Sequence, residues 1–474
     1  MNDPARRQRA LESIRARVGD AGWIDDAERL APFLREWRGR YHGRAAAVVC
    51  PADSAEVAAV VGHCAAAGIG IVPQAGNTGT VGGAAPHTTG DEIILSVRRL
   101  DRIREIDLQN GTLTAEAGCI LADVQQAARN AGRFFPLSLV SAGTCRIGGN
   151  LASNAGGLHT LRYGTMRDLT LGLEVVLADG RLWNGLSKLH KDNSGYELRD
   201  LFIGSEGTLG VITAAVLKLY PALRTQVTAL LAVAEPRRAL EILDALWTAT
   251  DGRLEAAELI GRQALQLVLD HVPGCRAPFV APWMLLIEAA SAGDDETLEG
   301  VVERVLHRAS AAGGIGEVVV AAGERQRAAL WQLRDRIPEA QRRAGASLKH
   351  DIGVPPAAVP ELIRRGMALA ERAVPGVRPC IFGHLGDGNL HFNLTAPAGG
   401  EEAAFLAHGA PLAAALFNLA GELGGTIAAE HGIGQLWRDL LPRYKSPVEL
   451  DLMRAVKQAL DPQGIMNRGK VLPG

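Results

Sequence analysis

Two histidines seven residues apart, His384 and His391, flank Gly386, Asp387, Gly388 and Asn389 in the stretch GHLGDGNLHFN. If Gly386 to Asn389 form a four-residue hairpin loop, Leu385 opposes Leu390 and His384 opposes His391. Directly opposed residues of antiparallel strands share a face, with Cβ atoms about 4.5–5.5 Å apart, so two imidazoles can converge on one ion. Asn393 points to the same side. Read alone, paired histidines beside a turn are more often ordinary polar strand residues, with Asp387 capping its own turn backbone. A second stretch, GGTIAAEHGIGQLWRDLL, puts Glu430 and His431 at the end of an apolar run that reads as a strand, before a glycine turn and a helix. Two histidines and one carboxylate would form a three-ligand set with positions left open for substrate, suited to zinc and tolerable for manganese or iron. Neighbours on a regular strand point oppositely. Glu430 and His431 therefore reach one cavity only if the backbone leaves extended geometry there, which Gly432 permits.

Glycine-rich runs suggest a second kind of chemistry. VPQAGNTGTVGG, Val72 to Gly83, follows an apolar strand pattern and places Gly76, Gly79, Gly82 and Gly83 within eight residues. Closely spaced glycines let successive backbone N–H groups point into one concavity, which binds pyrophosphate oxygens. The run lacks both the Gly-Lys-Ser/Thr ending of a Walker loop and the GxGxxG spacing of a Rossmann fingerprint. SAGTCRIGGNLASNAGG, Ser141 to Gly157, adds five glycines and two asparagines in seventeen residues. Taken singly, each run also reads as a tight turn between strands.

Together with RYGTMRD, GLEVVLADG and LFIGSEGTLGVIT, these strings resemble the FAD-binding domain of the vanillyl-alcohol oxidase and p-cresol methylhydroxylase superfamily. The resemblance implies that Pro73, Gly76, Asn77, Thr78, Gly79, Thr80 and Gly82 hold the FAD pyrophosphate. It further implies that Pro136, Gly143, Thr144, Gly148, Gly149, Asn150, Ser153, Asn154, Gly156, Gly157 and Gly164 wrap the adenine-to-flavin length, with Glu206, Gly207 and Ile212 closing the far side. Positions 73 to 79 contain no histidine, so FAD is expected to be non-covalent, with His87 just outside the loop.

The histidine motifs, LRDRIPEAQRRAGASLKHDIGVP and the closing LDPQGIMNRGKVLPG resemble the FAD-linked D-2-hydroxy-acid dehydrogenases, nearest the branch acting on D-2-hydroxyglutarate. The likeness runs from about Ala46 to the C-terminus. It implies that His384, His391 and Glu430 ligate a divalent metal, zinc foremost, and that His431 is the general base. Asn393 would contact substrate, Arg334 and Lys349 would bind its carboxylate, and Asn467 and Lys470 would return to the flavin. Read without the resemblance, Arg334 lies on a solvated helix face and Lys349 on an exposed strand edge. Pro338 stands where that branch carries a threonine on the distal carboxylate, and it has no hydroxyl to offer. The tail reads Asn-Arg-Gly-Lys where relatives usually have proline. D-lactate or glycolate oxidation, or a non-catalytic flavin subunit of a glycolate oxidase assembly, are the alternatives. The implied chemistry removes a hydroxyl proton and a hydride from one carbon, with the metal orienting the hydroxyl and an imidazole taking the proton. Electrons then leave the flavin for a separate carrier, such as an electron-transfer flavoprotein or a quinone or cytochrome partner.

A chain of 474 residues needs two or three substructures to carry these groups. From Ala46 to Pro86 the pattern is strand, helix, strand, glycine loop. Further strands are expected at Glu92 to Ser96, at Thr170 to Leu177 with Arg181 to Trp183 across the turn ADG, and at Thr208 to Leu219. These make a FAD-binding domain, 1–222. After Pro221, strands near 227–233, 256–260 and 283–289 alternate with helices at 236–249 and 262–271, and a helix-strand-helix ends near Arg343. That rhythm predicts a sheet covered by helices, a substrate or cap domain at 223–422. A long helix, Glu401 to Leu423, leads into a segment at 423–474 that completes the site and includes a helix at Val448 to Leu460. The fold class is therefore α+β: a two-part FAD-binding fold of the vanillyl-alcohol oxidase type, with a sheet-and-helix cap and a returning C-terminal segment.

The formal net charge of -2 supplies no basic excess for nucleic acid. Six scattered cysteines without a CxxC pair argue against a zinc ribbon or a clustered iron–sulfur site. No run approaches the roughly 20 apolar residues of a membrane span. The N-terminal stretch reads as an amphipathic helix without the apolar core of a secretory signal. A cytoplasmic protein, homodimeric, is expected.

Overall fold

The computed structural model describes residues 3–293 and 296–473, so the outermost domain bounds expected above, 1 and 474, lie outside it. The chain forms two compact units. One comprises Met1–Gly157, Gly164–Ala222 and Glu430–Gly474; the other comprises Leu158–Tyr163 and Leu223–Ala429.

In the first unit the helix Ser54–Ala67 is capped by the Asp53 side chain, which accepts from Glu56 N, and it stops at Gly68 with φ +67°. Val57, Val60, Val61 and Cys64 recur at helical spacing and share one core with Ile71, Ile93 and Leu95. Full burial of each aliphatic side chain is worth about 1.5–3 kcal/mol. The helix is the crossover that parallel strands require. Val48–Val49 and Gly70–Gln74 both run parallel to Glu92–Ser96, which lies between them because all five of its residues are buried. The expected strand-helix-strand unit is thus present, with a third strand inserted at its centre.

A second sheet of this unit is antiparallel, in the order Ile103–Asp107, Thr112–Glu116, Gly210–Lys218, Thr170–Leu177, Leu182–Gly185. The C-terminal tail adds to the first sheet. Ile71 N donates to Ile465 O and Asn467 N to Ile71 O, both at 2.8 Å, which ties the tail to the strand feeding the first glycine run.

In the second unit the strand–helix alternation builds a sheet in the order Val318–Val320, Thr225–Val233, Trp283–Ser291, Leu254–Gly261, Arg378–His384, Asn389–Thr395, Ser347–Leu348, with Asp351–Gly353 also paired to Asn389–Thr395. Every pairing is antiparallel. The helices Pro236–Ala249 and Arg262–His271 fall where the sequence predicts them. The long helix expected from Glu401 to Leu423 is instead two, Glu402–Ala407 and Gly409–Glu422. Pro411 explains the break: it lacks an N–H and its ring crowds the carbonyl four residues back, that of Ala407. Among the described residues, no helix is long and apolar enough to cross a membrane.

Candidate active site

In the first unit a cavity follows the glycine run after Gly70–Gln74. Its wall includes Pro73, Gly76, Asn77, Thr78, Gly79 and Thr80 from that run, Gly148, Gly149, Asn150 and Ser153 from the second run, and Glu206, Gly207 and Ile212. The loop is buckled from inside. Gln74, 2% exposed, donates through Nε2 to Phe33 O and Ala84 O, both at 2.9 Å, drawing the two ends of the run together. Asn77, at φ +52°, donates to Arg35 O at 3.0 Å and Pro32 O at 3.3 Å, so its side chain anchors the loop. A Cβ on Gly76 would stand 2.6 Å from Thr144 O, which shows the two runs packed backbone to backbone. Arg146, not singled out in the sequence, also reaches the wall and donates to Gly118 O. Burial, with Arg98 nearby, pulls its pKa down. Glycine backbone and one guanidinium fit a dinucleotide that approaches closely and carries phosphates.

Among the described residues, Gly82, Pro136, Gly143, Thr144, Asn154, Gly156, Gly157, Gly164 and Asn467 are off this wall. Several of them shape it from behind. Gly82, at φ +75°, lies where a Cβ would collide with the Tyr41 ring, and the Asn154 Oδ1 accepts from Arg167 N at 3.0 Å. Asn467 donates through Nδ2 to Glu206 O at 2.7 Å and Gly83 O at 2.9 Å. Lys470 is buried and its pKa is pushed down to about 8, chiefly by that burial. His87 bonds Arg468 O through Nε2 at 2.7 Å, also away from the wall.

The strand expected before Glu430 does not form. Thr426 makes one isolated bridge to Gly353, and residues 427–434 are irregular because Gly432 and Gly434 take φ of +78° and +51°, which no ladder accommodates. Both Glu430 and His431 consequently line the glycine cavity. Glu206 stands beside them at φ +51°, its carboxylate accepting from Ile433 N at 2.7 Å and Gly434 N at 2.9 Å. Burial raises its pKa to about 7 in spite of those two donors, and the residue lines the cavity.

The histidine hairpin lies in the second unit, and its register differs from the expectation. His384 pairs with Asn389, and His391 with Phe382. The loop is therefore Leu385 to Gly388. Asp387 accepts from Asn389 N at 3.0 Å, and Asn389 Nδ2 donates to Asp351 at 2.8 Å, so Asn389 is pinned in the ladder. Leu385 N is drawn to Ala257 O on the neighbouring strand. The histidines are thus diagonal neighbours on one face, with ring centroids 6.1 Å apart. Each has a carboxylate behind it: His384 Nδ1 is 2.5 Å from Glu258 Oε1, and His391 Nδ1 is 4.0 Å from Asp351 Oδ1.

Arg334 is no solvated helix residue. It is 5% exposed, and its Nε lies 2.7 Å from Glu258 Oε2 while Nη2 is 3.4 Å from His384 Nε2. Burial alone would raise the Glu258 pKa, but Arg334 and His384 outweigh it and hold that carboxyl well below the usual range. Lys349 is half-buried in the gap between Ser347–Leu348 and Asp351–Gly353. Asn393 is buried, with Oδ1 accepting from His350 N at 3.1 Å and Nδ2 donating to Gln341 Oε1 at 3.0 Å. Pro338 opens the helix Ile337–Arg343.

The same unit brings ligand atoms of His159, Glu255 and Glu288 within 4.8 Å of one another. Glu255 already accepts from Tyr163 Oη at 2.7 Å and Arg162 Nη1 at 3.3 Å, and Glu288 from Thr228 at 2.6 Å, Trp331 at 2.8 Å and Arg327 at 2.9 Å. Two guanidiniums balance two carboxylates, which leaves no net charge for a cation. This network fastens residues 158–163 to the sheet.

A glycine-walled dinucleotide cavity in one unit, and a paired-histidine hairpin on an antiparallel sheet in the other, define a two-part flavoprotein. Residues 45–185 match the FAD binding domain family, and residues 222–471 match the C-terminal domain of FAD linked oxidases. The chain is 38% identical over 455 residues to the mitochondrial D-2-hydroxyglutarate dehydrogenase of Bos taurus, covering 95% of this chain and 81% of the relative. It is 34% identical over 466 residues to D-2-hydroxyglutarate dehydrogenase of Xanthomonas citri pv. viticola, covering 98% and 95%. Substrate-bound p-cresol methylhydroxylase shares the fold with a TM-score of 0.76 at 18% identity, over 99% of this chain and 98% of that one. Alkyldihydroxyacetonephosphate synthase does so at 0.73 and 15%, over 97% and 84%. The chain belongs to the D-2-hydroxyglutarate dehydrogenase family of FAD-linked oxidases. It is an oxidoreductase that uses FAD, with the two-part α+β fold read from its sequence.

Proposed function

We propose that this chain oxidises D-2-hydroxyglutarate to the 2-oxo acid, holding FAD non-covalently and passing electrons to a separate acceptor, with a divalent cation, zinc foremost, ligated by His384, His391 and Glu430. The observation that carries the reading is the 2.5 Å approach of buried Glu258 to His384 Nδ1. A carboxylate there holds the ring proton on Nδ1 and presents the Nε2 lone pair, the usual arrangement behind a metal-bound imidazole. Arg334 Nη2, facing Nε2 at 3.4 Å, agrees with a lone pair on that nitrogen. Asp351 Oδ1 lies farther from His391 Nδ1, at 4.0 Å, beyond hydrogen-bond range, and adds negative charge behind that ring. Glu430, the third ligand, directly follows Ala429 in the chain.

Bound FAD supplies a two-electron acceptor, and a bound cation would polarise the substrate hydroxyl and its neighbouring carboxylate. His431 takes the hydroxyl proton on an imidazole nitrogen. Asn393, locked by Gln341 and the His350 backbone, offers a fixed polar group to the substrate. Arg334 and Lys349 receive carboxylate charge. Because Glu258 already neutralises Arg334, Lys349 carries the larger share of selectivity for a second carboxylate. A second reading, D-lactate or glycolate oxidation, is favoured by Pro338, whose ring offers no hydrogen bond at the helix start.

The test is a dye-coupled assay of the purified protein with D-2-hydroxyglutarate, D-malate, D-lactate and glycolate, before and after chelation. The highest kcat/KM is expected for D-2-hydroxyglutarate, with chelation abolishing turnover and zinc restoring it. Full activity in a preparation free of divalent ions by elemental analysis would remove the metal from the proposal.

A further inference from the structure

We infer that Glu206 is a positioning residue for Glu430 and His431, acting through the backbone of the loop that follows them. The inference rests on the reading of those two residues as ligand and base. One rigid carboxylate takes two consecutive N–H groups, Ile433 on Oε1 at 2.7 Å and Gly434 on Oε2 at 2.9 Å, so both the position and the twist of the loop are set. The loop is gripped from its other end as well. Gln435 N donates to Val81 O at 2.9 Å and Gln435 Nε2 to Gly82 O at 2.8 Å, which ties it to the first glycine run.

The surrounding glycines make room for this clamp. A Cβ on Gly432 would stand 2.7 Å from Glu206 Oε1, and one on Gly83 would stand 3.0 Å from Oε2. Glu206 itself holds φ +51°, a conformation that favours glycine, and Asn467 donates to its carbonyl at 2.7 Å. Strain of this kind persists only where the surroundings over-determine it. A glutamate whose sole task was to touch the cofactor would need neither the paired N–H groups nor the space at Gly432. The carboxylate therefore serves the loop, while the peptide of the same residue faces the tail.

Glu206→Gln in the full-length, FAD-loaded enzyme tests this, since the change keeps shape but turns one acceptor into an NH2 aimed at a backbone N–H. Hydrogen exchange at the Ile433 and Gly434 amides should quicken at least about tenfold, because one amide loses its acceptor outright and the NH2 repelling it loosens the adjoining bond, which keeps only a neutral carbonyl. Turnover of D-2-hydroxyglutarate should fall by about tenfold or more, while the FAD Kd, titrated on apoprotein by flavin fluorescence, stays within about twofold. Gly432→Ala, which presses on the clamp from the opposite side, should give the same exchange signature and serves if the glutamine variant does not fold. His431→Ala is the companion: it should abolish turnover with exchange at 433 and 434 unchanged. If that variant keeps full activity, the assignment of the base fails while the clamp is still judged by exchange. Unchanged exchange in both Glu206→Gln and Gly432→Ala, or an FAD Kd that rises as far as turnover falls, overturns the inference.

Discussion

Replacing Glu258 with glutamine removes one charge from the buried triad of Glu258, Arg334 and His384 while keeping its volume. Glu258 is fully buried and Arg334 is 5% exposed, so the guanidinium stays inside with a neutral amide where its carboxylate stood. Removing one partner of a buried ion pair costs about 3–5 kcal/mol, because the other charge is left uncompensated. At about 2–4 °C per kcal/mol for a unit of this size, the midpoint should fall by roughly 6–20 °C. The same change weakens the support behind His384 Nδ1, and losses of that kind run to about 10–100-fold in metal affinity, or about 1.4–2.7 kcal/mol. Thermal unfolding followed by far-UV circular dichroism reads the first effect, and chelator competition for zinc reads the second. The double variant Glu258→Gln, Arg334→Met should regain most of the stability, since both charges then leave together. The pH dependence has a definite sign. Glu258 is held below its ordinary value, so its contribution is complete above the unfolded-state pKa of about 4.3 and is lost on acidification below it; the gap between wild type and variant should close there. A variant with a midpoint within about 1 °C of wild type and an unchanged zinc affinity would refute this account of the hairpin.

Other perturbations report on other parts of the molecule. Gly76→Ala should yield protein with little bound flavin, read from its visible absorbance, because a Cβ 2.6 Å from the Thr144 carbonyl cannot be relieved by a rotamer change. His391→Ala should stay yellow and lose turnover, which separates metal chemistry from flavin binding in a single spectrum and assay. Lys349→Ala should raise KM for D-2-hydroxyglutarate by about tenfold or more and leave D-lactate nearly untouched, since only the diacid offers a second carboxylate. For Glu206 the pH trend runs opposite to that of Glu258. Its folded pKa of about 7 lies above the unfolded value, so the folded chain binds the extra proton, and urea denaturation should show wild type losing stability from about pH 4.5 to about pH 7 relative to Glu206→Gln.

The parts of this site that could be read from the sequence are those where local backbone geometry forces a residue type. Glycine runs are such a case: Gly76 and Gly432 occupy places where a Cβ would strike a carbonyl or a carboxylate, and composition alone exposes that demand. The break of extended geometry that lets Glu430 and His431 share one cavity was equally visible, because Gly432 follows them directly. The hairpin register was not. It turns on whether Asn389 belongs to the loop or to the ladder, and that is decided by Asp387 next to it and by Asp351 from a distant strand. The burial of Arg334 was hidden for the same reason. Its partner, Glu258, lies 76 positions earlier in a strand whose every residue is buried, Glu255 included, so no alternation of polar and apolar residues announces it. What the fold adds is therefore mainly electrostatic. It pairs the cation of Arg334 with an internal anion, Glu258, 2.7 Å away, which no spacing in the sequence announces.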